Sequence, residues 1–134
     1  MSYEVALLVG RLLFGGYFAF SGLNHFIKSD QLSGWVESKE LPAPDLLVYL
    51  SGVMLMAGGL GIAVGAYPVV SVLLIGVFLA VVTPMFHDFW NFEGEEKQSH
   101  MTNFLKNVAL IGALLMTLSL DWSVYAVGAS LGLM

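Results

Sequence analysis

Four long apolar stretches run along the chain, separated by segments in which polar residues, glycine and proline are concentrated. They cover about residues 3–26, 45–66, 67–86 and 102–120. Each has roughly the 20 residues that an α-helix needs to cross the hydrocarbon core of a bilayer. Because an isolated strand cannot satisfy its backbone hydrogen bonds in lipid, the pattern predicts four transmembrane helices.

The connections between these stretches differ in character. A glycine stop and a proline start at residues 65–68 predict a tight hairpin between the second and third helices. Gly61 and Gly65 also have the small-residue spacing that lets membrane helices approach closely. The first connection is longer, and Leu32, Trp35 and Val36 follow helical spacing in it. We expect a short amphipathic helix there, lying in the membrane interface.

The expected fold is therefore all-α: a transmembrane four-helix bundle with a short interfacial helix between helices 1 and 2. Residues 1–134 are expected to form a single membrane domain. Residues 123–134 are again apolar but too few to cross a bilayer, so we expect them to pack back on the bundle.

The composition favours the same class of protein. Hydrophobic residues make up 57% of the chain and charged residues 11%, whereas soluble domains carry about 25% charged residues. Because this number of polar side chains is too small to cover the surface of a globular protein, lipid must contact much of that surface. The net charge of −5 offers no electrostatic footprint for nucleic acid, and the absence of cysteine excludes thiol–disulfide chemistry and Cys-ligated clusters on this chain.

The basic residues predict an orientation. Lys28, Lys39, Lys97 and Lys106 lie in or beside the first and third connections. Four crossings place these connections on one side and both termini on the other. By the positive-inside rule, we expect a multi-pass protein of the cell membrane with cytoplasmic long loops and external termini. Arg11 interrupts what would be the apolar region of a signal peptide, so we expect the first helix to be retained.

A few polar residues lie within or at the ends of the apolar stretches. Because polar groups at membrane depth are costly unless they are partnered, these are the candidate functional positions. They are Arg11, Asn24, His25, His87, Asp88, Lys106 and Asn107.

Arg11 is the deepest of these charges, about 12 Å along the first helix. It belongs to a helical stripe that we assign to the interior of the bundle. The other members of the stripe are Gly15, Phe18, Gly22 and His25. Two interpretations of Arg11 are open: it extends toward the terminal face and pairs with Glu4 or Asp121, or it lines a ligand or quinone site.

Two other candidates, His25 and Lys106, also have structural interpretations. His25 ends the first helix, where an imidazole commonly caps the last carbonyls. Lys106 either extends to the interface or pairs with Asp88 or Asp45. The histidines lack metal-ligand spacing, so no metal site is expected.

Several motifs resemble the DoxX family of membrane proteins. The segments GRLLFGG (10–16) and FSGLNHF (20–26) are similar to the start of that family. Residues 39–44 with 51–52, TPMFHDFW (83–90) and NFLKNVAL (103–110) are similar to later parts. The resemblance implies a four-helix membrane bundle and a link to thiosulfate:quinone oxidoreductase or to sulfur-handling and oxidative-stress complexes. Many members carry a glutamate in the second helix where this chain has Leu55.

These features favour a non-catalytic membrane subunit or anchor of a redox, sulfur or oxidative-stress complex, not catalytic alone and without a cofactor of its own. Its partners would be the lipid bilayer, other membrane or peripheral subunits or a second copy, and no nucleic acid. One alternative is a quinone-linked oxidoreductase subunit with a pocket around Arg11, His87 and Lys106. A second alternative is a small transporter, which would have to oligomerise to build a pathway.

The histidine spacing yields a first test. We predict that the purified protein binds no stoichiometric metal, because no histidine pair has the spacing of a metal motif. Elemental analysis of the dialysed protein measures this. About one zinc or iron per chain would contradict the prediction.

Overall fold

The computed structural model describes residues 3–125, and every regular element in that range is helical. The elements are α1 (Tyr3–Ile27), α2 (Ser29–Ser38), α3 (Pro44–Val64), α4 (Pro68–Phe86), a 3-10 turn (Phe89–Asn91) and α5 (Gly94–Thr117). This confirms the all-α prediction, including the short helix in the first connection.

Three segments of the described chain are long and apolar enough to cross a membrane. They are α1, α3 and the stretch Pro68–Asn91, which contains α4 and the 3-10 turn. Helix α5 is not among them, because it begins at Gly94 and its first half is rich in polar residues. Its composition alone therefore does not establish the fourth crossing that the sequence predicts.

The chain divides into two compact units. Among the described residues, the first contains residues 3–75 together with 121–125, and the second is Gly76–Leu120. Residues 126–134, which make up most of the C-terminal segment expected to pack back on the bundle, lie outside the described residues. Helix α4 passes from the first unit into the second.

Helices α1 and α3 of the first unit pack through glycines. A Cβ atom on Gly15 would collide with the carbonyl oxygen of Gly59 and lie 2.6 Å from the nitrogen of Ala63. A Cβ atom on Gly22 would lie 2.6 Å from the carbonyl oxygen of Gly52. The main chains therefore touch at two levels. Since the residue numbers rise along one helix as they fall along the other, the two helices are antiparallel.

The predicted hairpin between α3 and α4 is confirmed. Gly65 ends α3 in the left-handed conformation (φ 72°), which glycine adopts without steric cost. A Cβ atom on Gly61 would collide with the hydroxyl of Ser71, and that hydroxyl donates to the carbonyl of Ala66 at 2.8 Å. Of the predicted small-residue pair, Gly61 thus permits close packing while Gly65 forms the turn.

The interior of the first unit is filled by large apolar side chains. Phe18, Leu55, Ile62 and Ile75 are almost completely buried. Many other apolar side chains on the same helices are exposed, including Leu13 on α1. An apolar surface of this extent fits helices that face lipid.

In the second unit, an aromatic cluster joins the 3-10 turn to α5. The ring of Phe104 lies 5.4 Å from that of Phe89 and 6.0 Å from that of Trp90, in edge-on geometry. The rings of Phe89 and Trp90 are 5.3 Å apart. Such aromatic pairs add stability beyond the area they bury. The cluster therefore fixes the segment that follows α4.

The glycine contact between α1 and α3 predicts a matched pair of stability effects. We expect Gly15→Ala to destabilise the protein by about 1–3 kcal/mol, because the added methyl group has no room against the main chain of α3. Gly16→Ala is the control, since Gly16 has nothing within 4 Å of its Cβ position. Melting temperatures in one detergent measure both. Equal melting temperatures for the two variants would contradict the close contact.

Candidate functional site

The candidate residues fall into two groups. Arg11, Asn24 and His25 lie in the first unit, and the remaining four lie in the second. Those four are His87, Asp88, Lys106 and Asn107.

The stripe predicted on α1 is the buried face of that helix. Its buried residues are Arg11, Gly15, Phe18 and Gly22, and His25 is half-buried. Arg11 itself is only 5% exposed. The prediction that the stripe faces other parts of the protein is therefore confirmed.

The guanidinium of Arg11 holds the segment that follows α5. Its Nη1 donates to the carbonyl oxygen of Trp122 at 3.0 Å, and its Nη2 donates to that of Tyr125 at 3.2 Å. The fork shape of arginine, with donors that diverge from one plane, suits two separate acceptors. Arg11 thus fastens a C-terminal turn against α1.

The turn that Arg11 holds is also stabilised from within. The Asp121 carboxylate accepts hydrogen bonds from the hydroxyl of Ser123 at 2.5 Å and from its main-chain nitrogen at 3.0 Å. The hydrogen bond from the Ser123 hydroxyl, and to a smaller extent the one from its main-chain nitrogen, holds the pKa of Asp121 below its ordinary value. Tyr125 takes a left-handed conformation (φ 47°), which costs roughly 1–2 kcal/mol for a residue with a Cβ atom. Its hydrogen bond to Arg11 offsets part of that cost.

The structure therefore gives Arg11 acceptors other than those the sequence suggested. Asp121 shapes the turn, but the acceptors described for the guanidinium are main-chain carbonyls. The third nitrogen, Nε, is buried without a hydrogen-bond partner among the described residues. Since that atom is covered by protein, no ligand reaches it in this arrangement.

His25 joins the end of α1 to α3. Its Nδ1 lies 2.9 Å from the hydroxyl of Ser51 and 3.3 Å from the carbonyl oxygen of Val48. The Ser51 hydroxyl also lies 2.9 Å from that carbonyl and donates to it. The neighbouring Asn24 carbonyl accepts from the nitrogen of Lys28 at 2.8 Å, at the end of α1. The contacts of His25 thus hold the end of α1 against α3, which is a structural role.

The second group surrounds a contact between two histidines. The Nδ1 atoms of His87 and His100 are 3.2 Å apart. Lys106 and Asp88 lie within electrostatic range of His87. The carboxylate of Asp88 accepts from the side-chain amide of Asn91 at 2.8 Å.

Lys106 and Asn107 differ in exposure although they are adjacent on α5. Lys106 is exposed, and its ammonium donates to the side-chain oxygen of Asn103 at 3.4 Å. Asn107 is buried. The hydrogen bond described for Lys106 thus connects it within α5, and pairing with Asp88 or Asp45 remains a prediction.

Residues 3–125 contain no group of three or more acidic or histidine side chains able to hold one metal ion. Of the two histidines in contact, His87 directly follows α4 and His100 lies within α5. Sequence spacing could not reveal their contact, because it depends on how that segment folds. Phe92, whose ring stacks on His100 at 4.2 Å, was missed for the same reason.

The helices and the buried arginine define an integral membrane protein built from apolar helices. The DoxX family profile matches residues 6–88, more than half of the chain, so the protein belongs to the DoxX family. Comparisons with curated proteins and with solved structures gave no match. Leu55, at the position where many family members are expected to carry glutamate, is 1% exposed within α3.

The contacts of Arg11 predict the effect of replacing it. We expect Arg11→Lys to lower stability by about 1–3 kcal/mol, because one ammonium group cannot reach both carbonyls as the guanidinium does. Arg11→Leu should be no worse than Arg11→Lys, since it leaves no cation in an apolar environment.

The control for these variants is Asp121→Asn, which keeps an oxygen that accepts from Ser123 and should melt like the parent. Melting temperatures of the four forms in one detergent make the comparison. A melting curve of Arg11→Lys identical to that of the parent would contradict the forked contact.

Proposed function

We propose that this DoxX protein is a non-catalytic membrane subunit that anchors a redox, sulfur-handling or oxidative-stress complex whose cofactors lie on other chains. In this proposal it resides in the cell membrane and contacts lipid, other subunits or a second copy of itself. It does not catalyse a reaction alone.

The observation that carries the proposal is that Arg11 donates hydrogen bonds to main-chain carbonyls of the same chain. A deep cation in a membrane protein commonly marks a substrate or ion pathway. Here two of its nitrogens donate to carbonyls of the chain itself, and the third is covered. The guanidinium therefore joins α1 to the segment after α5, which is a structural role within the chain.

Leu55 supports the same proposal. By the family resemblance, many members carry a glutamate at this position of the second transmembrane helix. An apolar, buried leucine at that position can neither take up nor release a proton. A structural role for the α1–α3 pair is the simpler interpretation.

The quinone-linked alternative rests on the second unit. His87 is half-buried and lies within electrostatic range of Lys106, so this unit places an imidazole near a cation. Such a pair could bind a quinone oxygen. A quinone retained by the protein is the outcome that would favour this alternative.

We further propose four crossings, with α5 as the fourth and α2 lying in the interface. The contact between Arg11 and the segment after α5 supports an even number of crossings. Helices α1 and α3 are antiparallel and α3 and α4 form a hairpin, so α4 runs away from the N-terminal side. The return of the chain to Arg11 at Trp122 supports a further crossing by α5.

Purification from native membranes in mild detergent tests the proposed role. We expect other protein chains to co-purify stoichiometrically and no quinone to be retained. Mass spectrometry of proteins and of extracted lipids measures both. A pure chain that retains quinone and reduces it with thiosulfate would contradict the anchor role.

The crossing number has a separate test. Because the chain has no cysteine, single cysteines at Ser38, Gly94 and Ser2 can be labelled in intact cells with an impermeant reagent. We expect Ser38 and Gly94 to be protected alike and Ser2 to be labelled. Different behaviour of Ser38 and Gly94, or like behaviour of all three, would contradict four crossings with external termini.

A further inference from the structure

The contact between His87 and His100 has an unusual geometry. His87 follows the end of α4, and His100 lies in α5. Their Nδ1 atoms are 3.2 Å apart while their ring centroids are 5.5 Å apart. For two imidazole rings whose Nδ1 atoms are 3.2 Å apart, a centroid separation of 5.5 Å is close to the largest possible value. Both Nδ1 atoms therefore lie between the rings and face one another.

Two imidazole nitrogens face each other stably only when one carries a hydrogen and the other a lone pair. Two lone pairs, or two N–H groups, would repel. We propose that His87 and His100 share one proton between their Nδ1 atoms, and that this proton latches the end of α4 to α5. The latch is independent of the proposed anchoring role.

A ring contact orients His100, and a main-chain hydrogen bond fixes the backbone position of His87. The ring of Phe92 stacks on that of His100 at 4.2 Å with an interplanar angle of 23°. The main-chain nitrogen of His87 donates to the carbonyl of Thr83 at 3.0 Å, which continues the last turn of α4. The rings thus meet because the elements that carry them are fixed.

The charge of the pair decides whether the latch holds. A first added proton binds at an outer Nε2 atom and leaves the shared hydrogen bond in place, now with a charged donor. A second added proton puts two N–H groups head to head and breaks the contact. The charged groups near His87 are Asp88 and Lys106.

A metal ion bound by both nitrogens would require a different arrangement. Two imidazoles that share a zinc ion at about 2.0–2.1 Å direct their lone pairs at a common point beside the line that joins the nitrogens. Here the nitrogens point at one another. Zinc uptake by this pair would therefore overturn the latch.

Nuclear magnetic resonance of the full chain, labelled with 15N-histidine in detergent micelles, tests the shared proton directly. At neutral pH we expect one of the two rings to carry its hydrogen on Nδ1, and a scalar 15N–15N coupling to join the two Nδ1 atoms. On acidification the coupling should persist through the first protonation and vanish with the second. Hydrogens on Nε2 of both rings, no coupling, or a joint shift of both rings on zinc addition would overturn the proposal.

Variants give a second readout. His100→Phe should return His87 to the ordinary Nε2–H form and lower the melting temperature at neutral pH, with a smaller loss under acid conditions where the parent latch is open. His25→Asn is the control, because it removes the histidine of the first unit and should leave the coupling intact. Persistence of the Nδ1–H form at His87 without His100 would overturn the proposal. If His100→Phe does not fold, the coupling in the parent protein decides the question.

Discussion

Direct contact between the main chains of α1 and α3 is the constraint on which the first unit depends. An apolar side chain gains little free energy by moving from lipid into a protein interior, so membrane helices associate mainly through close packing. At Gly15 and Gly22 on α1, and at Gly52 and Gly59 on α3, a methyl group would meet the facing helix. The contact fixes which face of α1 turns inward. Every other residue on that face must fit an interior without water.

Arg11 is the residue for which this requirement is hardest to meet, because the glycine stripe carries it inward. A buried guanidinium needs acceptors, and a buried carboxylate would bring its own desolvation cost. Main-chain carbonyls of a turn avoid that cost, since they are neutral and have no helical partner. The turn from Asp121 to Tyr125 supplies two of them. One side chain thus offsets part of the cost of its own burial and joins α1 to the segment after α5.

Periodicity predicted the inward stripe of α1, the hairpin at Gly65 and the short helix α2, because each depends on residues that are close in sequence. The acceptors of Arg11 could not be predicted in this way. They are main-chain atoms, which every residue possesses, and they lie more than a hundred positions along the chain. The start of α5 was placed too late, since hydropathy marks where apolar residues begin and a helix can begin earlier with polar ones. The contact of His87 with His100 depends on the path of the intervening segment, which aromatic packing determines.

The two units differ in how their polar groups are used, and this difference bears on the anchoring role. In the first unit, Arg11 and His25 bond to atoms of the same unit. The family profile ends at residue 88, near the beginning of the second unit's polar segment. From Glu93 to Lys97, the acidic and basic side chains are exposed, and they follow the aromatic pair Phe89 and Trp90 in sequence. A membrane anchor needs a polar surface beside its apolar helices on which a partner can form hydrogen bonds. The charged side chains of residues 93–97 form such a polar surface at the start of α5.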